Sequence, residues 1–131
     1  MSDPTEKKRI DIHVHLAGMG GGESGCFMSP KMSRSLTYFA LKQALRIDTR
    51  DPAAATRTFA KRIADAIEGS TELDYACVFA MDGVYSDAGD LLPNPTHMYV
   101  PNSWVFEVCR QSKQLLPVIS VNPMRKDAIE E

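Results

Sequence analysis

The strongest constraint on the fold is a strict alternation of residue types near the start of the chain. Residues 10–16 read IDIHVHL, so that every second residue is aliphatic and the residues between them are Asp11, His13 and His15. An apolar and polar period of two is the pattern of a β-strand with two chemically different faces. We therefore predict a first strand that carries one carboxylate and two imidazoles on one face.

Helix and strand patterns then follow each other along the chain. Residues 17–33 hold five glycines and one proline, which predicts a long loop. A short helix is predicted next, capped by Ser33 or Ser35 and ending near Ile47. The residues that recur at helical spacing in it are Leu36, Phe39, Ala40 and Ala44.

A longer helix and a buried strand are predicted in the middle of the chain. Asp51 followed by Pro52 is a helix start, and Gly69 ends the helix after a stripe of Phe59, Ile63 and Ile67. Residues 75–81, YACVFAM, form a continuous apolar run that predicts a strand covered on both faces.

The last third of the chain repeats this order. Residues 82–102 predict a long loop, of the length that is usually functional or disordered. Asn102 or Ser103 caps a predicted helix that runs to about Lys113, and residues 115–121 predict a third buried strand. Residues 122–125 turn the chain, and residues 127–131 are expected to begin an amphipathic helix that the sequence does not complete.

Strands that alternate with helices imply a parallel sheet. The sequence has 131 residues, about the size of one ordinary domain. We therefore predict an α/β fold with parallel strands, in a single domain over residues 1–131.

Composition and charge exclude several classes of partner. Fifteen basic residues against seventeen acidic ones leave no positive excess, so binding to nucleic acid is not expected. The longest apolar run is far shorter than the roughly 18 residues needed to cross a bilayer, so no membrane partner is expected. The charged N-terminus lacks the apolar core of a secretory signal, and we expect a cytoplasmic protein.

The three cysteines, Cys26, Cys77 and Cys109, are odd in number and unrelated in spacing. They suggest neither a disulfide framework nor a thiolate zinc site, and free thiols are expected.

The candidate site is the histidine pair of the first strand. His13 and His15 are two residues apart, so both side chains leave the same face, with Cα atoms about 7 Å apart. Neutral imidazole is a common ligand of zinc and similar metals. The pair is also consistent with two surface histidines on a polar strand face. Its place at the end of a strand, before a glycine-rich loop, favours the metal site, because parallel α/β folds place their sites there. Asp11 either orients a ligating histidine or is a structural carboxylate.

Three segments carry a resemblance to a known family. IDIHVHL resembles the opening strand of the amidohydrolase superfamily of metal-dependent hydrolases, in which a His-x-His pair ligates the metal. FAMDG at 79–83 and PVISVNPMRKDAIEE at 117–131 resemble the second and third strand regions of the amidohydrolase-2 group. That group includes decarboxylases related to aminocarboxymuconate-semialdehyde decarboxylase.

The resemblance implies a (β/α)8 TIM barrel with a divalent metal, zinc being the first candidate, at the C-terminal ends of its strands. His13 and His15 match the first two ligands of the family. It implies that a metal-activated water attacks a C–N or C–O bond of a small-molecule substrate, or that a related site decarboxylates it.

This chain departs from the family in length. It corresponds to a partial barrel of about the first three β/α units, and the later ligands and the catalytic aspartate of the family have no counterpart in it. We expect a complementing chain or self-association to supply them, packing against Val78, Phe79, Val118 and Ile119. The alternative is a non-catalytic truncated fragment or binding module with an α/β layer and weak metal affinity.

Other polar residues have simpler interpretations. Asp82 either points into a site or starts a turn with Gly83, and the turn is favoured. His97 either touches a substrate or is a solvated loop residue, and the loop residue is favoured. Arg125 and Lys126 either meet an anionic substrate at the mouth of the barrel or lie exposed at a helix start, and the exposed position is favoured. The glycines that satisfy GxGxxG after the first strand are not followed by a helix pattern, which argues against a dinucleotide site.

Overall fold

The computed structural model describes residues 7–131. Two sheets and four α-helices form within this range. Their order is β1 (Ile10–His15), β2 (Phe27–Met28), α1 (Pro30–Ser33), α2 (Leu36–Leu45), α3 (Pro52–Glu68), β3 (Tyr75–Phe79), β4 (Met98–Tyr99), α4 (Asn102–Cys109) and β5 (Leu115–Val118). A short 3-10 helix, Gly22–Ser24, follows β1.

The central sheet is parallel, as predicted. Its three strands lie in the order β1-β3-β5, with β3 hydrogen-bonded to both neighbours. The short strands β2 and β4 form a separate antiparallel pair. Within residues 7–131 the α/β fold is therefore confirmed as an open three-stranded parallel sheet, not a closed barrel.

The core lies on one face of this sheet. Ala76 and Val78 of β3 are completely buried, and they pack in one cluster with Val105 and Val108 of α4. Residues of α3 join the same cluster, so α3 and α4 both cover this face. Tyr75, Cys77 and Phe79 lie on the other face and are only half-buried. The prediction that this strand is covered on both faces is therefore wrong for the described residues.

Strand β1 is less regular than its sequence predicts. Its register against β3 shifts between Asp11 and Val14, because a carboxylate oxygen of Asp11 accepts a hydrogen bond from the backbone N–H of His13 at 2.9 Å. This bulge removes Ile12 from the core, and 71% of Ile12 is exposed. Val14 packs against the core as predicted.

Helix α3 matches its sequence pattern closely. Asp51 accepts a hydrogen bond from the N–H of Ala54 at 3.0 Å, Pro52 is the first helical residue, and Gly69 ends the helix. Phe59 and Ile67 are buried, which confirms the predicted apolar face.

Helix α2 begins at its predicted cap but buries a different face from the one that the sequence predicts. Ser35 accepts a hydrogen bond from the N–H of Tyr38, and the helix ends at Leu45, before Arg46 with its left-handed backbone. Tyr38 is the buried residue of this helix. The apolar stripe that predicts the helix faces solvent instead, with Leu36 87% exposed.

The remaining elements are shorter than predicted. Helix α4 ends at Cys109, β5 ends at Val118, and residues 123–130 form turns in place of the expected amphipathic helix. Within the described part of the chain, no helix has both the length and the apolarity required to cross a membrane.

The cysteines of the described chain are free thiols, as predicted. Cys26 and Cys109 are buried, and this burial raises the pKa of each thiol to about 11. Both are therefore protonated and inert near neutral pH.

Candidate functional site

The two histidines of β1 converge on the open face of the sheet. The Nε2 atoms of His13 and His15 are 2.9 Å apart, and the ring centroids are separated by 4.7 Å in an edge-to-face arrangement. Both residues are exposed. The prediction that their side chains share a face and point toward one position is therefore confirmed, while their role as ligands stays a prediction.

Phe79 supports both imidazoles. The parallel register places it beside His15, and its ring centroid lies 5.4 Å from that of His13 and 5.6 Å from that of His15. An aromatic ring against both imidazoles restricts their rotation. The sequence analysis assigns Phe79 only to the contact with a partner chain. Its position at the C-terminal end of β3, the strand beside β1, is the feature that places it near the histidine pair.

Asp11 has a structural role in this arrangement. Its carboxylate accepts the backbone N–H of His13 and so fixes the bulge in β1. Of the two interpretations of Asp11, the structural carboxylate is the one that this contact supports.

The donor chemistry of the pair suits a divalent metal, but the ligand set is incomplete. Two nitrogens on one tetrahedral zinc ion lie roughly 3.3 Å apart for zinc–nitrogen bonds of about 2.0 to 2.1 Å, so the observed 2.9 Å separation needs only a small ring rotation. Catalytic zinc sites use about three protein ligands. Among residues 7–131, no three His, Cys, Asp or Glu side chains are grouped to hold a metal ion. The pair is therefore at most part of a metal site.

A second polar cluster lies where β3 and β5 end. The Asp82 side chain is only 4% exposed, and it accepts hydrogen bonds from the Tyr85 hydroxyl and the backbone N–H of Gly83, both at 2.7 Å, and from the backbone N–H of Asn122 at 2.8 Å. Burial opposes ionisation of Asp82, but these hydrogen bonds and nearby Arg125 outweigh it and hold the pKa below its usual value. The predicted turn with Gly83 is present, as one contact of a larger network.

Arg125 completes this cluster, contrary to expectation. Its side chain is 9% exposed and forms ion pairs with Asp82 at 3.4 Å and with Asp127 and Glu131 at 2.9 Å. Its guanidinium also lies over the ring of Tyr85, 5.7 Å from the centroid. The prediction of a solvated arginine is wrong because Asp82 and Arg125 follow neighbouring parallel strands, whose C-terminal ends meet at one edge of the sheet.

Asn102 extends the same network to the start of α4. Its side-chain amide donates to the backbone oxygen of Ser120 at 3.2 Å and to Glu131 at 2.8 Å, and its side-chain oxygen accepts the N–H of Ser120 at 2.9 Å. It therefore ties α4 to the end of β5, in place of the capping role that the sequence predicts.

His97 belongs to a different part of the surface. It is exposed, as predicted, and lines an open cavity of about 500 Å³ together with Met32, Met81 and Met98. Neither His13 nor His15 lines that cavity. His97 is therefore not part of the candidate metal site.

The glycine-rich loop packs against α3 and does not lead into an α-helix directly. Gly20, Gly22 and Gly25 all have positive φ, and a Cβ on Gly22 would approach the Cβ of Ala53 to 2.9 Å. The loop continues into a short 3-10 helix and then β2. The context of a dinucleotide fingerprint is missing, in agreement with the sequence analysis.

No protein-family model, curated protein or solved structure matches this chain. What the site can do is therefore inferred from its own residues and geometry.

Proposed function

We propose that this chain supplies two ligands, His13 and His15, to the divalent-metal site of a hydrolase of the amidohydrolase type. The observation that carries the proposal is the convergence of the two Nε2 atoms to 2.9 Å on the open face of a parallel sheet, at the C-terminal end of β1. Sites of parallel α/β folds lie at this edge, because the loops that follow the strands meet there. The partial (β/α)8 barrel implied by the resemblance is part of the same proposal.

Each residue of the site has a distinct task. His13 and His15 hold the metal, zinc being the first candidate, through their Nε2 atoms. The metal, when bound, supplies a water acidified to near neutral pH and a Lewis acid for the substrate carbonyl. Phe79 limits rotation of both rings, and Asp11 fixes the bulge that brings His13 beside His15.

The substrate class follows from this chemistry. A small molecule with a hydrolysable C–N or C–O bond, or a carboxylate set for a related decarboxylation, reaches the pair from the exposed face. Its reacting carbonyl would lie beside the two imidazoles, against the ring of Phe79.

The remaining ligands come from a complementing chain or a second copy. The open face offers a surface for this contact, because Phe79 and Val118 pair on it and are half-buried. Ile119, the residue that follows β5, is 52% exposed. Both outer strands also leave one edge unpaired within the described sheet. The sequence analysis assigns Val78 to this contact as well. That assignment is wrong, because Val78 is fully buried in the chain's own core.

Metal content and a zinc-binding isotherm test the proposal. The chain is compared with a His13→Ala, His15→Ala double variant and with His97→Ala, which removes an exposed histidine outside the pair. Near-stoichiometric zinc that the double variant loses and His97→Ala retains supports the proposal. Zinc that the double variant retains, or none in the original chain, contradicts it.

A non-catalytic binding module is the second candidate. The observation that favours it is that only two potential ligands converge within residues 7–131. Such a module binds zinc weakly and exchangeably through the same pair. Weak binding that neither self-association nor a copurified chain strengthens identifies the module.

A further inference from the structure

Helix α2 presents an uncharged face to solvent. Leu36 is 87% exposed and Phe39 is 56% exposed, and Ala40 and Ala44 on the same side of the helix are exposed as well. We refer to these four residues as the α2 face. Their spacing of three and four residues places them on one stripe, the pattern that usually packs against a core. Here the buried residue of the helix is Tyr38 instead.

The charge around this face has one sign. Residues 30–47 contain four basic residues and no Asp or Glu, although the whole chain has a net charge of −2. The four are Lys31, Arg34, Lys42 and Arg46. Within residues 7–131 none of them forms an ion pair, whereas Arg50, Lys61 and Lys126 do. The ammonium of Lys42 lies over the aromatic rings of Tyr38, at 5.3 Å, and Phe39, at 6.0 Å.

We propose that the α2 face docks on an anionic lipid surface. Leu36 and Phe39 enter the boundary between headgroups and acyl chains, and the four basic side chains contact the phosphates and carboxylates of the headgroups. Exposed aliphatic and aromatic side chains beside uncompensated basic residues are the features of peripheral helices that lie in the interface plane. Long basic side chains keep their charged ends in the headgroup layer while their stems cover apolar surface.

Charge argues against a second copy of the chain as the occupant. An antiparallel pair of α2 helices brings Arg34 of one copy near Arg46 of the other, and a parallel pair aligns the two Lys42 side chains. Both arrangements place like charges at the contact and have no acidic residue from α2 to offset them.

The distribution of bulk argues against an acidic groove on another protein. Helix-in-groove recognition uses large anchors over successive turns. On α2 the large residues, Leu36 and Phe39, lie in the first turn, and the positions that follow on the same side are Ala40, Gln43 and Ala44. A short apolar wedge with flanking cations suits a soft, extended anionic surface better.

This inference does not depend on the metal site, which lies on β1. It revises the expectation that membranes are not among the partners. That expectation comes from the lack of an apolar run long enough to span a bilayer, and a peripheral contact needs no such run.

Co-sedimentation of the full chain with lipid vesicles tests the proposal. The vesicles are phosphatidylcholine alone or phosphatidylcholine mixed with phosphatidylserine, at low and at physiological salt. Binding to the mixed vesicles that weakens with salt is expected, with little binding to phosphatidylcholine alone. Failure to bind the mixed vesicles at low salt overturns the proposal, and so does equal binding to both kinds.

Two pairs of variants assign the binding to the α2 face. Leu36→Ser with Phe39→Ser is compared with Met124→Ser with Ile129→Ser, which changes exposed apolar residues elsewhere. Lys42→Glu with Arg46→Glu is compared with Arg110→Glu with Lys113→Glu, which has the same effect on net charge. Each basic residue at an anionic bilayer contributes a factor of about five in partitioning, so the α2 charge variant is expected to bind at least about 25-fold more weakly.

Circular dichroism shows whether each variant keeps its fold. Folded α2 variants that bind as the original chain does overturn the proposal, and so do control pairs with losses equal to those of the α2 pairs. Sedimentation velocity adds a further check. A dimer that the α2 apolar variant abolishes, in the absence of lipid, shows that a second copy occupies the face and also overturns the proposal.

Discussion

At the scale of single residues, Asp82 and Arg125 show how a buried charge depends on its neighbours. Both side chains are nearly inaccessible, and each has several partners at the C-terminal edge of the sheet. Taking charges out of water is costly, and removing one partner from such a pair leaves the other uncompensated. The cluster therefore holds the loop after β3 against the segment after β5.

Asp82→Asn is expected to lower the free energy of unfolding by about 1 to 3 kcal/mol at pH 7, because Arg125 loses one of its three carboxylates. Urea denaturation measures the change. Asp90→Asn is the matched control, since Asp90 pairs with Lys126 where both side chains are largely exposed, and its expected effect is below about 0.5 kcal/mol. Equal effects of the two substitutions would contradict the structural role of Asp82.

The same residue gives a pH dependence of stability. The pKa of Asp82 is lower in the folded protein than in the unfolded chain, so its contribution is fully present above the unfolded value of about 3.9. That contribution is lost as the pH falls through the folded pKa. Urea denaturation between pH 6 and pH 3, values chosen to bracket about 3.9, is expected to show a shallower loss of stability in Asp82→Asn than in the original chain. An identical slope for both proteins would show that Asp82 does not titrate as described.

Phe79 is expected to matter for metal binding without being a ligand. Phe79→Ala frees both imidazole rings, and we expect zinc affinity to fall by about tenfold, as for other residues that orient ligands. Titration with zinc measures this. Phe106→Ala is the control, because Phe106 is an exposed residue of α4, the helix that covers the opposite face of the sheet. Unchanged zinc affinity in Phe79→Ala would contradict the role of Phe79 in limiting rotation of the imidazole rings.

At the scale of elements, local signals decide where helices begin. Asp51 caps α3 through the N–H of Ala54, and its replacement by alanine is expected to cost about 1 kcal/mol in unfolding free energy. Asp48→Ala is the control, because Asp48 pairs only with Arg50 on the surface, where such pairs contribute little. Chemical denaturation of both variants checks the difference, and a loss in Asp48→Ala as large as that in Asp51→Ala would contradict it.

The sequence predicts elements better than it predicts which face is buried. Cap residues and the strand pattern act locally, so the start of α3, the three parallel strands and the common face of His13 and His15 follow from short segments. The face that α2 buries depends on contacts with distant segments. The bulge at Ile12 depends on a hydrogen bond from the backbone of His13 to the side chain of Asp11. The apolar periodicity predicts neither. The sequence does not predict the Asp82 and Arg125 cluster either, because the two residues are 43 positions apart.

At the scale of the whole molecule, the open sheet face links metal binding to association. One face of the sheet is covered by α3 and α4, and the other carries the histidine pair beside half-buried Phe79 and Val118. A metal site with two ligands from each of two copies would have four protein ligands and would be a closed, structural site, whereas a hydrolase keeps one position open for water. With ligands from two copies, zinc and self-association stabilise each other, because each supplies what the other lacks.

Val118→Lys separates these two properties, because Val118 pairs with Phe79 on the open face. It places a charge on the open face and leaves both histidines intact, so zinc-promoted association is expected to be lost and zinc affinity to fall with it. Ile129→Lys introduces the same charge at a residue 99% exposed outside the sheet and is expected to change neither. Sedimentation velocity with and without zinc distinguishes them. Tight zinc binding by a monomeric Val118→Lys variant would show that the missing ligands come from the same copy and not from a second one.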